Sequence, residues 1–521
     1  MTELTTKRIL QVKKGYLNMI DPGAISNDTH LYKPRASSLC GVLPRFRGLF
    51  LLVLCFFSAC SQAPPWVNVG GPLILITVDT LRADHLSCYG YTALSTPRFD
   101  MLAKEGVLFA DTSTTMPMTL PAHATIMTGL TPPVHGVRDN QDYFLPDSAV
   151  TLAERFAEAG FETAGFISSF VLDSVYGMSQ GFSHFSPARD VRYDLGLDKQ
   201  KDAATVTEEA IQWIRGAKND RFFIWIHYFD PHEKCAPPQE FLPPGRHPYD
   251  GEIAFVDDRL GRLFTELKRR DLYDDATIIV TADHGEGLGE HGERTHGFLT
   301  YQGTIKVPLI IKSPGIRPGR VDQPVSLADI FPTALDLFGL KREKNATDGA
   351  SLVPFLVEQG KVDPRLVYFE SYLPTLYMGW SGQRGVRLGS LKYIESSMPE
   401  LYELTDDPLE RKNLFNMDNA DSTQLRQMLL RFREAVRNRN LEAPAQEVHE
   451  RNKAEWLNRL IALGYIGGST LSDKELERVE GRIQPSLHVT DYESFLADYV
   501  EGSVNEMQND FSADLILYNL A

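Results

Sequence analysis

Three apolar runs that each end on an aspartate constrain this chain more than any other feature. Leu73-Ile-Leu-Ile-Thr-Val78 leads into Asp79, Arg221-Phe-Phe-Ile-Trp-Ile-His227-Tyr-Phe229 into Asp230, and Ala276-Thr-Ile-Ile-Val-Thr-Ala282 into Asp283. Continuous β-branched runs of this length mark strands buried on both faces. Helical patterns lie between them. One starts at Thr96-Pro97 and stops at Gly106, and others cover 151–159, 202–217 and 252–270. Shorter strands are expected at 107–110 and 163–167. Such alternation predicts an α/β fold with a mostly parallel central sheet and helices on both faces. Ligands in such folds bind at the carboxyl ends of strands, where all three aspartates stand. Each aspartate alone could equally be a turn or helix-cap residue.

The texture changes near residue 365. Strand-like pieces at 365–371, 384–395 and 401–404, broken by glycine, predict a small antiparallel sheet followed by a helix at 422–438. The expected division is a leader over 1–60, a linker over 61–71, a catalytic domain over 72–364, a C-terminal subdomain over 365–440 and a helical tail over 441–521. That tail carries 15 Asp/Glu against 6 Lys/Arg, the pattern of a solvated helical face. The net charge of −16 argues against nucleic acid as a partner.

At the N-terminal end, Arg45 and Arg47 precede a run of apolar residues that ends in Ser58-Ala59-Cys60. The run is shorter than the roughly 20 residues that span a bilayer and fits the apolar part of a secretory signal. Ser58-Ala59-Cys60 resembles a bacterial lipobox, with Cys60 as the lipidated residue. The alternative is a short hydrophobic anchor helix. Either way the chain is expected outside the cytoplasm, periplasmic or held at a membrane by a lipid anchor. The polar residues before this segment fit no leader pattern, and initiation near Val42 or Leu43 would account for them. Outside the leader only Cys88 and Cys235 remain, too few for a disulfide framework.

The stretch from 115 to 140 carries the chemistry: Thr-Met-Pro-Met-Thr119-Leu-Pro121-Ala-His123, then Thr128-Gly129, then Pro-Pro-Val-His135-Gly136-Val-Arg-Asp-Asn140. Thr119 stands where a loop enters a helix, and helix N-termini favour anions such as phosphate or sulfate. It reads as a nucleophile or as an N-cap. Asp79, Asp283 and His284 form a ligand set for a divalent metal, with Thr119 placed to join it. Carboxylate plus imidazole suits zinc or manganese; calcium prefers oxygen ligands. A metal beside Thr119 would lower its hydroxyl pKa and polarise an ester oxygen, allowing attack, a covalent ester and hydrolysis by water. Asn140, His232 and His296 could meet the substrate's developing charge, or could be loop-packing polar residues.

These residues resemble the alkaline phosphatase superfamily, and its sulfatase family in particular. The matching pieces are Asp79-Thr-Leu-Arg82-Ala-Asp84, the 115–140 stretch, Asp230-Pro-His232, Asp283-His-Gly-Glu286, Tyr301-Gln-Gly-Thr-Ile-Lys-Val-Pro and Leu401-Tyr-Glu-Leu-Thr-Asp-Asp-Pro. The resemblance implies metal-dependent ester hydrolysis with Asp79, Thr119, Asp283 and His284 as metal site. It also shows departures. Sulfatases carry Cys or Ser, converted to formylglycine, where Thr119 stands, with Pro and Arg two and four residues on; here those are Pro121 and His123. Where sulfatases usually pair two aspartates on the first strand, Asp79 is followed by Thr80. Thr-x-Pro-x-His is instead similar to nucleotide pyrophosphatase/phosphodiesterases, which use a Thr nucleophile and an Asn at the spacing of Asn140. Those enzymes hold two metals, and a second site could draw on Asp230, His232 and His296. With one metal, His232 and His296 would contact the ester and leaving group.

The expected activity is therefore hydrolysis of phosphate mono- or diesters, favoured over sulfate esters because a Thr ester must be released by water. The partner would be a small-molecule, glycan or lipid ester. Transfer of a phospho-group to surface glycans, and a non-catalytic binding lipoprotein, are the alternatives. Leu460-Ile-Ala-Leu-Gly-Tyr-Ile-Gly467 in the tail resembles a linker of sulfatase-like lipoproteins that continue into tetratricopeptide repeats.

Overall fold

The computed structural model describes residues 70–441 except 141–142, 189–199, 343–345, 359–363, 379–380, 438 and 440, and adds Pro64, Val67 and Asn68. The expected leader with Cys60 and the tail after Leu441 lie outside the described residues. No described helix is long and apolar enough to cross a membrane.

The three aspartate-ended runs are the strands β1 (Leu73–Val78), β5 (Phe222–Tyr228) and β6 (Thr277–Ala282). They belong to a nine-stranded sheet, with β2 (Val107–Ser113), β3 (Glu162–Phe166), β4 (His184–Ser186), β7 (Lys306–Lys312), β8 (Gly319–Val321) and β9 (Val325–Ser326). The order is β4-β3-β5-β1-β6-β7-β2-β8, with β9 also on β2. Only β7 runs against its neighbours β6 and β2; the other pairings are parallel. Every residue of β1, β5 and β6 is buried. Side chains alternate between the two faces of a strand, so both faces of the sheet centre are covered. Truncating a core residue there, such as Ile74→Ala, would cost about 2–5 kcal/mol.

The helices expected from Pro97 to Gly106 and over 151–159, 202–217 and 252–270 are present, and further helices cover the sheet with them. They include α1 (Pro97–Glu105), α2 (Thr119–Thr128), α3 (Leu152–Glu158), α4 (Ala203–Gly216), α5 (Pro248–Arg269) and α6 (Ile330–Leu337). Thr96 is the residue before α1, but its hydroxyl bonds Ser87 instead of capping the helix. Asp257 of α5 caps α1 from outside, accepting from Arg98 N and Phe99 N at 2.9 and 3.1 Å. Asn68, inside the expected linker, is fastened to the sheet by bonds to Asp275 O and Thr277 Oγ1. Cys88 and Cys235 are free thiols.

A separate four-stranded antiparallel sheet follows: β10 (Leu366–Ser371), β11 (Gln383–Leu388), β12 (Leu391–Glu395) and β13 (Glu400–Glu403). The piece read at 384–395 is a hairpin turned at Gly389, whose φ of 60° favours glycine. Helix α7 (Ala420–Val436) packs its Leu425 and Leu429 on this sheet with Tyr368, Val386 and Tyr393. The two sheets are joined by charge. Arg387 on β11 grips Asp111 on β2 with two parallel bonds. Fully buried Lys392 donates to Glu410 Oε1 at 2.6 Å and to Thr300 O at 2.5 Å.

Candidate active site

Parallel pairing of β1 with β6 aligns Val78 with Ala282, so Asp79 and Asp283 emerge side by side at the carboxyl edge. His284 follows directly. Ligand atoms of Asp79, Asp283 and His284 all lie within 4.8 Å of one another, and all three residues are fully buried. His284 Nε2 is 3.6 Å from Asp79 Oδ1 and 3.5 Å from Asp283 Oδ2, too long for hydrogen bonds of useful strength. Its Nδ1 donates to Gly285 O at 2.9 Å, which leaves Nε2 facing the carboxylates. Gly285 admits no side chain there, because a Cβ would sit 2.0 Å from Gly303 O.

Both Asp79 oxygens and Asp283 Oδ2 are buried without a hydrogen-bond partner. Such orphans are rare because each costs its full desolvation energy. Burial raises the pKa of Asp79, against the pull of His232 and His284. Burial and then the Asp79 charge raise Asp283. For His284, burial works downward, but Asp283 and Asp79 outweigh it and its pKa is raised. Three partnerless carboxylate oxygens and the His284 Nε2, whose proton a cation would displace, in a closed space fit a divalent cation. The next residue, Thr80, is held at φ 54°, a backbone conformation strained for a β-branched side chain. Its N–H donates to Asp283 Oδ1 at 3.2 Å, and its carbonyl accepts from Tyr249 OH at 2.7 Å.

Thr119 is the first residue of α2, and the cap position belongs to Met118. The hydroxyl is thus not spent on capping. It lies 3.5 Å from His284 Nε2 and is fully buried. The orphan N–H of the helix start is met from a distance: Leu120 N donates to Asn140 Oδ1 at 2.8 Å. Asn140 Nδ2 is buried with no partner. The loop before Asn140 is fixed by His135, whose Nδ1 accepts from Val137 N at 3.1 Å and whose Nε2 reaches Thr125 Oγ1 at 3.1 Å.

His232 and His296 come together beside His284. Ring centroids are 5.0 Å apart for His232 and His296 and 4.3 Å for His296 and His284. His232 stacks on Phe229 and places Nδ1 2.7 Å from Glu233 O. His296 Nδ1 lies 3.0 Å from Glu286 Oε1. Burial holds His296 well below the usual histidine range and lifts Glu286 to about 8. Asp230 turns elsewhere: its Oδ2 accepts from Ala203 N at 2.8 Å, at the first residue of α4. Among the described residues, Asp230, His232 and His296 do not bring three ligand atoms within 4.8 Å.

Two histidines that sequence reasoning left without a role stand behind the cluster. His227 accepts from Ser168 N at Nδ1 (3.3 Å), so its Nε2–H points at Asp79 Oδ2, 3.5 Å away. His123 donates from Nδ1 to Thr119 O at 2.7 Å and accepts from Thr77 Oγ1 at Nε2, at 3.0 Å. With Asp283 these two also fall within 4.8 Å. Both His123 nitrogens are engaged and the His227 Nε2 carries its proton, so this grouping offers no imidazole lone pair to a cation. The signal that could have found them was a histidine inside a strand buried on both faces, and one four residues beyond Thr119.

The family described as Sulfatase matches residues 72–340, and the one described as N-sulphoglucosamine sulphohydrolase, C-terminal, matches 289–437. The Delta 4,5-hexuronate-2-O-sulfatase of Bacteroides thetaiotaomicron is 25% identical over 432 residues, 70% of this chain and 87% of its own. The choline-sulfatase of Rhizobium meliloti is 35% identical over 195 residues, covering 35% of this chain and 36% of its own. In structure, the phosphonate monoester hydrolase of Agrobacterium radiobacter superposes with a TM-score of 0.58 at 24% identity, over 71% of this chain and 96% of its own. A protein solved with its substrate D-glucosamine-2-N,6-O-disulfate gives 0.62 at 21% identity, over 72% and 99%. With the sheet order, the second antiparallel sheet and the strand-end cluster, these matches establish that the chain belongs to the sulfatase family of the alkaline phosphatase superfamily and is a hydrolase of ester bonds.

Proposed function

We propose that the chain is a metal-dependent ester hydrolase with Thr119 as nucleophile, acting on phosphate mono- or diesters in preference to sulfate esters. The observation that carries this reading is the Thr119 hydroxyl 3.5 Å from His284 Nε2, beside the orphaned oxygens of Asp79 and Asp283. A divalent metal held by Asp79, Asp283 and His284, with zinc or manganese suited to that set, would polarise the ester and acidify the threonine hydroxyl. The chain's own residues account for the rest. Thr119 Oγ attacks and forms an ester with the transferred group, the alcohol leaves, and water releases the anion. The α2 N-terminus and the Asn140 amide N–H face the charge that develops on the transferred group. His232 and His296 border the side from which the leaving oxygen departs, and Glu286 holds His296 in place. Asp230 serves α4 in this scheme, so one metal suffices.

Threonine cannot become formylglycine, which is the reason for preferring phosphate. Sulfate esters are the second reading, favoured by the relatives named choline-sulfatase and Delta 4,5-hexuronate-2-O-sulfatase. Those names also support small-molecule or glycan esters as substrates. The leader sequence supports export with lipidation at Cys60, to be checked by mass spectrometry of the mature N-terminus. Nitrophenyl phosphate, phosphodiester and sulfate substrates with added zinc, manganese or calcium test the activity. Phosphate or phosphodiester turnover lost in Thr119→Ala is expected; sulfate turnover alone, lost in that variant, would replace the first reading with the second.

A further inference from the structure

We propose that His123 is a positioning residue that fixes Thr119 for attack through its bond to the Thr119 carbonyl; this rests on Thr119 being the nucleophile. The ring spans two parts of the fold that must be in register. On one side Nδ1 donates to the carbonyl of Thr119, one helical turn earlier, at 2.7 Å. On the other, Nε2 accepts from Thr77 Oγ1 at 3.0 Å. The Thr77 hydroxyl in turn accepts from Trp225 Nε1 at 3.0 Å, so its single proton is committed to His123.

Thr77 stands on β1 two residues before Asp79 and pairs across to His227 of β5, and Trp225 precedes His227 by two on β5, so Thr77, Trp225 and His227 share a sheet face. His123 therefore anchors the first turn of α2 to the strand pair that holds His227 and leads into Asp79. With its backbone held, Thr119 retains only χ1 as a soft torsion, and β-branching restricts that torsion. The ring is fully buried and packs against Trp225 and His227, with centroids 5.4 and 5.0 Å away. Nδ1 also faces Asp283 Oδ2, but at 3.6 Å, too long for a useful hydrogen bond, so both ring nitrogens are spent on Thr119 and Thr77 and the ring's one bond to the site is to Thr119.

Asparagine and glutamine divide the clasp in two. The Asn amide can reproduce the Nδ1 donor to Thr119 O, while the Gln amide reaches the Nε2 position and its Thr77 contact. Turnover of a nitrophenyl ester should stay within about tenfold of wild type in His123→Asn. In His123→Gln, kcat should fall about 100-fold, the scale of a small misplacement of a reacting group. In both, KM should hold within about threefold and bound metal, by elemental analysis, should be unchanged. Equal losses in the two variants, or a His123→Gln enzyme at wild-type kcat, would overturn the proposal. Thermal melting of each variant checks folding. If either variant does not fold, Thr77→Val removes the anchor at nearly constant volume; a kcat reduced about tenfold at constant KM supports the role and an unchanged kcat contradicts it. Thr119→Ala runs alongside. If it stays active, the nucleophile assignment fails; if it is inactive while His123→Gln is not, only the role of His123 fails.

Discussion

The site has two halves built by different means. Asp79, Asp283 and His284 leave adjacent parallel strands, and sheet register alone brings them together. Thr119, Asn140, His232 and His296 stand on a helix start and on loops. Part of this second half is held by the antiparallel sheet. Glu370 of β10 donates its N–H to Thr115 O at 2.9 Å, and its buried carboxylate faces Arg138, two residues before Asn140, at 3.4 Å. Ser371 bonds the carbonyl of Gly297, next to His296. Lys392 and Glu410 clamp Thr300 and Gln302. The strand-borne half needs only its neighbours in the sheet; the loop-borne half depends on hydrogen bonds and ion pairs to residues 74 or more positions away in sequence.

That division can be broken deliberately. The largest expected effect is on the loop-borne side: Thr119→Ala should lower kcat by at least about 1,000-fold, roughly 4 kcal/mol of barrier, while elemental analysis still finds metal bound. Loss of metal together with activity would show that the halves are not separable. Lys392→Met leaves Glu410 buried and uncompensated, and should lower unfolding free energy in denaturant titration by about 3–5 kcal/mol. An unchanged midpoint would mean the antiparallel sheet does not brace the site. Arg138→Met should cut kcat about tenfold, about 1.4 kcal/mol, through drift of Asn140, with KM little altered. A KM effect alone would place Arg138 on the substrate instead. The smallest effect is on the strand-borne side. Thr80→Gly relieves a strained φ of 54° and should raise stability by about 1 kcal/mol in the metal-free protein. A destabilised variant would show that the buried Thr80 side chain contributes more than the strain costs.

The same division explains what could be read from the sequence. Runs of β-branched residues ending in Asp specify strands, and strands in register place Asp79 and Asp283, so that half was legible from local pattern. The fate of Asp230 was not. Its strand end looks like the others, but the start of α4 lies within reach and takes the carboxylate. Whether Thr119 caps the helix turns on one residue of helix start, which local pattern does not resolve; the extended backbone of Met118 puts the cap there instead. His123 and His227 were hidden because their partners, Thr77 and Ser168, are distant in sequence and chemically ordinary. The braces on Thr115, Arg138 and Thr300 need the second sheet's placement, which no local pattern carries.

The central claim is that Thr119 carries the transferred group. Acid-quenching the enzyme during turnover of a nitrophenyl phosphate ester, followed by high-resolution peptide mass analysis, tests it directly. A phosphoryl group on the peptide containing Thr119, absent in Thr119→Ala, is the predicted result. Steady turnover with that peptide unmodified at every quench time, or with the group on another residue, would contradict it.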